Sequence, residues 1–161
     1  MKPLSKLLIT GLFCISSGSY ACDGNAHEFD FWLGNWQVLA GGKVVGTNRI
    51  EADLTHCVIK ESYATPTGFK GLSVNSYDAS RQVWHQTWID NAGTLLLLEG
   101  KLVNGDMVLQ GSGTDQQGNA VTHKIRWTPN PDGSVRQHWQ SRLAELGEWQ
   151  TVFDGHYVPM H

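Results

Sequence analysis

Short runs of alternating hydrophobic and polar residues, separated by turns that contain glycine, repeat along the chain after residue 30. The turns include AGGK at 40–43, PTGF at 66–69, DNAG at 90–93, VNGD at 103–106 and NPDG at 130–133. The runs between them are rich in Val, Ile, Trp, Tyr and Thr, which is typical of the strands of an all-β sandwich or barrel. Because the turns are all tight, we predict an antiparallel up-and-down barrel of roughly ten strands.

The sequence Asn104-Gly105 favours a two-residue type I′ hairpin loop, which pairs Val103 with Asp106. This register gives the hairpin one apolar face, which we assign to the barrel interior. Carried back through the DNAG turn at 90–93, the same register decides which side chains of the preceding strand face inward. The inward side chains of that strand are predicted to be Trp84, Gln86 and Trp88.

Two further hairpins extend this register to a group of polar residues. A four-residue loop pairs Tyr77 with Gln82, and Asn75 then lies opposite Trp84. The PTG loop at 66–68 carries the register into the strand before it. The polar side chains that this register turns inward are Glu61, Ser73, Asn75 and Gln86.

The NPDG turn at 130–133 pairs Ile125 with Trp139 and places His123 on the inward face. His138 then points outward, so a metal site between His123 and His138 is not expected. We predict no metal site from the spacing of the other candidate ligands.

Buried polar side chains inside a barrel must form hydrogen bonds to one another, to trapped water or to a ligand. A satisfied structural network in a filled barrel is therefore one alternative. Aromatic rings combined with a few polar groups are typical of a pocket for a small ligand, which is the function we predict. The predicted ligand-binding residues are Glu61, Ser73, Asn75, Trp84, Gln86, Trp88, His123 and Trp139.

An enzyme that uses Glu61 as a general acid or base is the third alternative. Burial among Trp rings would raise the pKa of this carboxyl and suit it to proton transfer. No nucleophile with an adjacent base is visible in the sequence, so we assign no catalytic residue.

The bulk composition restricts the partners. A chain of 161 residues is long enough for one domain with a single core. The formal net charge of −3 offers no basic surface for nucleic acid. The expected partner is a small molecule.

Residues 1–21 have the pattern of a secretory signal peptide, with a lysine-containing start, an apolar run at 7–15 and small residues before Cys22. The barrel domain is then predicted over 22–161, in a periplasmic or secreted protein. Cys22 and Cys57 remain after cleavage and are expected to form a disulfide. The alternative is a lipoprotein anchored to the membrane through an acylated Cys22.

The stretch FDFWLGNW at 29–36 resembles the Gly-x-Trp signature of the calycins, which are lipocalin-like barrels. In those barrels the Trp plugs one end beneath a short N-terminal 3₁₀ turn. The resemblance implies that Trp36 closes the barrel floor and that Phe29, Phe31 and Trp32 hold the N-terminal arm across it.

A longer ordered set of motifs includes HCVIKESY, GLSVNSYD, WHQTWIDNAG, LEGKLVNGDMVLQG and WQTVFDGHY. Together they look like a bacterial family of exported domains of unknown function, which implies a lipocalin-like or nitrobindin-like barrel. The positions that carry this resemblance are Trp36, Glu61, Asn75, Trp84, Gln86, Trp88, Asp90, Trp139 and Trp149.

Nitrobindin-like barrels hold haem through a histidine on a late strand, for which His123 is the inward candidate and His156 lies near the end of the chain. The glycine-rich motif of the haem-binding members is not evident. We therefore predict no cofactor, with haem as the alternative.

Overall fold

A computed structural model describes residues 22, 24–115, 117–143 and 147–160. Two short 3₁₀ helices, Gly24–His27 and Asp30–Trp32, precede the strands. The strands are β1 (Gly34–Ala40), β2 (Lys43–Asp53), β3 (Val58–Ala64), β4 (Lys70–Asp78), β5 (Val83–Asp90), β6 (Leu95–Val103), β7 (Asp106–Thr114), β8 (Ala120–Pro129), β9 (Val135–Leu143) and β10 (Gln150–Pro159). The predicted signal peptide at 1–21 lies outside the described residues. Within the described part of the chain, no helix has the length and apolar character needed to cross a membrane.

Each strand pairs antiparallel with the next one along the chain, and β1 pairs with β10, so the sheet closes on itself. The predicted ten-stranded antiparallel up-and-down barrel is confirmed, and so is the short 3₁₀ segment before the first strand. Closure gives every described strand a neighbour on both sides, which removes the exposed edges of an open sheet.

The hairpins with well-defined turn residues have the predicted register. Val103 pairs with Asp106 across Asn104 and Gly105, whose φ angles of 53° and 90° are those of a type I′ turn. The predicted pairings of the PTG, DNAG and NPDG hairpins are also present. The inward and outward faces therefore follow from the turn chemistry.

The hairpin between β4 and β5 differs from the prediction by two residues. Tyr77 pairs with Trp84 rather than with Gln82, and Asn75 pairs with Gln86 rather than with Trp84. Because side chains alternate with a period of two, a shift of two residues leaves every inward side chain facing inward.

The four-residue loop of this hairpin occupies residues 79–82 instead of the predicted 78–81, so both ends of the loop lie one residue later in the chain. Asp78 pairs with Val83, and its carboxylate accepts the backbone N–H groups of Ser80 (2.9 Å) and Arg81 (3.2 Å). Gln82 takes a left-handed conformation, with φ of 56°. The side chain of Asp78 stabilises this position of the turn in the way that Asx turns do.

Aromatic rings fill the end of the barrel at which β1 begins. Phe29 and Trp32 are fully buried and stacked, with ring centroids 5.0 Å apart, and Phe29 also contacts Trp127 (5.2 Å) and Trp84 (5.7 Å). We call Phe29, Trp32, Trp84 and Trp127 the plug cluster. Trp36 is buried beside it and donates a hydrogen bond from Nε1 to the Trp32 carbonyl oxygen (2.9 Å). The rings of the N-terminal arm thus close this end together with Trp36.

The predicted disulfide is also present at the plugged end. Cys22 and Cys57 are bonded, with their Cα atoms 5.4 Å apart. Cys57 lies in the turn between β2 and β3, so the bond ties the start of the domain to the barrel wall.

Candidate functional site

A cavity of about 270 Å³ occupies the half of the barrel opposite the plug cluster. Its wall is mainly aromatic and aliphatic. The lining residues are Glu61, Tyr63, Thr65, Phe69, Gln86, Trp88, Asp90, Leu96, Ile125, Gln137, Trp139, Val152, Phe153 and Tyr157. Val152 is 48% exposed, so the cavity reaches solvent at this end.

Glycines on neighbouring strands make room for two of the rings that form the wall. A Cβ at Gly71 would overlap the indole of Trp88, and a Cβ at Gly46 would lie 2.8 Å from the Tyr63 hydroxyl. Since glycine lacks this atom, each ring can approach the backbone of the strand beside it closely. At these two positions the wall consists of a bulky ring on one strand and bare backbone on the next.

Glu61 is buried at the inner end of the cavity and accepts hydrogen bonds on both carboxylate oxygens. Asn48 Nδ2 donates to Oε1 (2.7 Å) and Ser73 Oγ donates to Oε2 (2.6 Å). Asn75 Nδ2 donates to Ser73 Oγ (2.9 Å), and Gln86 Nε2 donates to Asn75 Oδ1 (2.7 Å). We call these five residues the Glu61 network. Asn48 and Ser73 donate directly to the carboxylate, and the chain from Gln86 through Asn75 to Ser73 ends on it, which holds the carboxyl in one orientation.

Burial raises the pKa of Glu61 to about 7, although the hydrogen bonds from Ser73 and Asn48 oppose this shift. Near neutral pH both the acid and the carboxylate are therefore populated. The acid can donate a hydrogen bond to a bound molecule, whereas the carboxylate can only accept one.

Tyr157 borders Glu61 on the β10 side of the cavity. Its hydroxyl donates a short hydrogen bond to Gln137 Oε1 and lies 3.4 Å from Asn48 Nδ2. Burial, together with the charge of Glu61, raises the pKa of Tyr157 well above its usual value. Tyr157 is therefore a neutral phenol across the physiological range.

Asp90 provides a second carboxylate at the mouth of the cavity. It accepts hydrogen bonds from Trp88 Nε1 (3.2 Å) and from the backbone N–H groups of Ala92 (2.9 Å) and Thr94 (3.0 Å). Burial acts to raise its pKa, but the hydrogen bonds outweigh burial and the pKa is lowered. At neutral pH the cavity thus has an ionised carboxylate, Asp90, at its mouth and a carboxyl with a pKa of about 7, Glu61, at its inner end.

The structure distributes the predicted site residues over four places, of which His123 occupies one. Glu61, Gln86, Trp88 and Trp139 line the cavity. Ser73 and Asn75 lie behind Glu61 and orient it through the network. Trp84 faces inward as predicted but belongs to the plug cluster, because it lies two residues closer to the plugged end of β5 than Gln86.

His123 lies behind Trp139 and outside the cavity lining. Trp139 Nε1 donates to His123 Nδ1 (3.1 Å), and since an indole N–H only donates, Nδ1 carries no proton. Its Nε2 edge packs against Gly113, and burial lowers the pKa of the ring. The histidines do not fit a haem, because neither ring nitrogen of His123 faces the cavity and His156 is exposed.

Several residues of the cavity and its hydrogen bonds were not predicted as site residues, above all Asn48, Gln137 and Tyr157. Asn48 on β2 contacts Glu61 directly, and Tyr157 on β10 contacts Asn48. The pairing of β1 with β2 contains a register shift between Val38 and Leu39, and the pairing of β9 with β10 contains one between Thr151 and Phe153. Counting residues from the turns fails across such irregularities. The sequence signal for Asn48 was that it is a polar residue at an inward position of the run GTNRI at 46–50.

Neither a protein-family model nor a curated protein sequence matches this chain. The function is therefore inferred from the geometry of the cavity.

Proposed function

We propose that the barrel binds one small, mostly apolar molecule whose single polar end meets Glu61. The observation that carries this proposal is the aromatic cavity that ends on a buried, hydrogen-bonded carboxyl. Ligand sites commonly combine apolar walls with a few oriented polar groups in this way. The cavity also argues against the alternative of a structural barrel with a filled core.

The lining indicates the chemical class of the ligand. A volume of about 270 Å³ lies just below the roughly 300–1,000 Å³ of most ligand pockets, so the molecule is the size of a single substituted ring or a short chain. Glu61, Gln86 and Gln137 offer both hydrogen-bond donors and acceptors at the inner end, which suits a hydroxyl, amine or amide group. Asp90 favours a donor or a positive charge at the mouth.

The pKa of Glu61 supports a second candidate function, a general acid or base acting on the bound molecule. A carboxyl with a pKa of about 7 exchanges protons readily at neutral pH. In that case Glu61→Gln would abolish turnover while the molecule still binds. A pure binding protein would show no turnover to lose.

We further propose that the protein acts outside the cytoplasm. The disulfide between Cys22 and Cys57 supports an oxidising compartment, as does the predicted signal peptide.

Native mass spectrometry of the protein purified from the periplasm, followed by titration with phenol, indole and benzylamine, tests the binding proposal. Leu96→Trp would fill the cavity and should abolish binding. Leu97→Trp is the matched control, because Leu97 is the next residue on β6 and points outward. Equal binding by both variants, or no retained mass and no saturable binding of any probe to the unmodified protein, would contradict the proposal.

A further inference from the structure

Three potential metal ligands meet on the outer surface at the plugged end, away from the cavity. His27 Nδ1 lies 3.1 Å from Asp30 Oδ2, and His56 Nε2 lies 2.9 Å from Asp30 Oδ1. The candidate ligand atoms of the three residues all lie within 4.8 Å of one another. We call these residues the His–Asp–His cluster.

The fold brings this cluster together from two separate segments. His27 ends the first 3₁₀ helix and Asp30 begins the second, while His56 lies in the turn between β2 and β3. Next to His56, Cys57 is bonded to Cys22 of the N-terminal arm. The disulfide therefore links the two segments that supply the imidazoles and limits how far they can separate.

The donor set and its spacing suit a transition metal ion. Two imidazoles and one carboxylate are ligands that Zn²⁺ and similar divalent ions accept, whereas Ca²⁺ and Mg²⁺ prefer oxygen alone. Ligand atoms at about 2.0–2.1 Å from one zinc ion lie roughly 3.3 Å from each other in a tetrahedral shell. The two His–Asp pairs, at 3.1 Å and 2.9 Å on the two oxygens of Asp30, are slightly closer than this, so the ligands have to separate by a few tenths of an ångström to admit an ion. The two imidazole rings meet edge to face with centroids 4.7 Å apart, and their candidate ligand nitrogens lie within 4.8 Å of each other.

The cluster is also open enough to admit an ion. The side chains of His27, Asp30 and His56 are 47%, 31% and 39% exposed. Water can therefore complete the coordination shell, as in zinc sites that have three protein ligands.

We propose that His27, Asp30 and His56 form a surface site for one Zn²⁺ ion or a similar divalent transition metal. The ion replaces the hydrogen bonds between the rings and the carboxylate. It clamps the N-terminal arm to the turn between β2 and β3. In the sequence, Phe29 lies between the ligands His27 and Asp30, and its ring belongs to the plug cluster. The bound ion therefore stabilises the closed end of the barrel.

Isothermal titration of the chelator-treated, disulfide-intact protein with ZnCl₂ tests this proposal. We expect saturable binding of one ion per chain and a rise in the unfolding temperature with Zn²⁺ concentration. His56→Gln and Asp30→Asn should each weaken binding by about tenfold or more. His138→Gln is the matched control, because His138 is hydrogen-bonded to Thr151 on β10 and lies outside the cluster.

A second measurement keeps the outcome clear if a variant loses its local structure. Histidine NMR signals of the unmodified protein should shift for His27 and His56, but not for His138, as Zn²⁺ is added. The proposal is overturned if no ion binds at one per chain, if His138→Gln weakens binding as much as His56→Gln, or if the two cluster histidines do not respond.

Discussion

Asn48 can satisfy Glu61 in both of its protonation states. Its Nδ2 donates to the carboxylate, while its Oδ1 is buried and has no hydrogen-bond partner among the described residues. Turning the amide by 180° would present Oδ1 to the hydroxyl of a protonated Glu61. A carboxyl with a pKa of about 7 thus has a neighbour able to serve either form.

The raised pKa of Glu61 has a defined effect on the pH dependence of stability. The folded protein holds this proton more tightly than the unfolded chain, so the contribution is fully present below about pH 4.5 and is lost as the pH rises to about 7. A shift of this size corresponds to about 3 kcal/mol.

Glu61→Gln should remove this dependence. Between pH 4 and pH 8, the free energy of unfolding of the variant should rise by about 3 kcal/mol relative to that of the unmodified protein. Urea unfolding followed by Trp fluorescence at each pH measures this difference. Parallel pH profiles for the two proteins would show that Glu61 titrates in the folded state as it does in the unfolded chain.

Among the elements, the second 3₁₀ helix and the residue before it contribute more buried aromatic side chains to the plug cluster than their length suggests. The helix supplies a ring from Trp32, preceded by Phe29, and both are fully buried in the plug cluster. Phe31 lies between them in sequence but is only partly buried. The neighbouring positions therefore provide a matched comparison.

Phe29→Ala should lower the free energy of unfolding by about 3–5 kcal/mol, because it leaves a cavity among Trp32, Trp84 and Trp127. Phe31→Ala should cost roughly 1 kcal/mol, since its ring is already partly in water. Denaturant unfolding of both variants checks the contrast. Similar losses would mean that the arm is held mainly by contacts other than the plug cluster.

At the scale of elements, the hairpins show how much of the strand pairing can be predicted from sequence. Glycine and asparagine at positions with positive φ define several turns, and the predicted pairings across them are correct. The predicted register of the β4–β5 hairpin was wrong by two residues, because the carboxylate of Asp78 decides where that turn lies. The error left the inward faces unchanged only because two is the period of a strand.

At the scale of the whole molecule, the barrel has a closed end and an open end with different chemistry. The plug cluster, the disulfide and the His–Asp–His cluster lie at the closed end. The cavity and the two carboxyls, Glu61 and Asp90, belong to the open half. Changes at the closed end should therefore alter stability more than ligand binding.

Replacing both Cys22 and Cys57 with Ala tests this separation. The disulfide closes a loop with a sequence separation of 35 residues, so its loss should lower the free energy of unfolding by about 3–4 kcal/mol. At a temperature where the variant is folded, probe binding in the cavity should be nearly unchanged. Calorimetric unfolding and a probe titration on the same sample measure both quantities. A large loss of affinity in the folded variant would show that the two ends are coupled.

The sequence by itself determined the number of strands, their antiparallel order and the face of most side chains, because turn residues and a period of two are local properties of the chain. It also indicated the inward carboxyl Glu61 and its neighbour Ser73. Only the tertiary structure decided which inward residues meet the cavity and which fill the plug, since that depends on height along the barrel. Closure of β1 on β10 and the docking of the N-terminal arm brought Tyr157 to Asn48 and His27 to His56. Such contacts join residues far apart in the chain, and no local pattern encodes them.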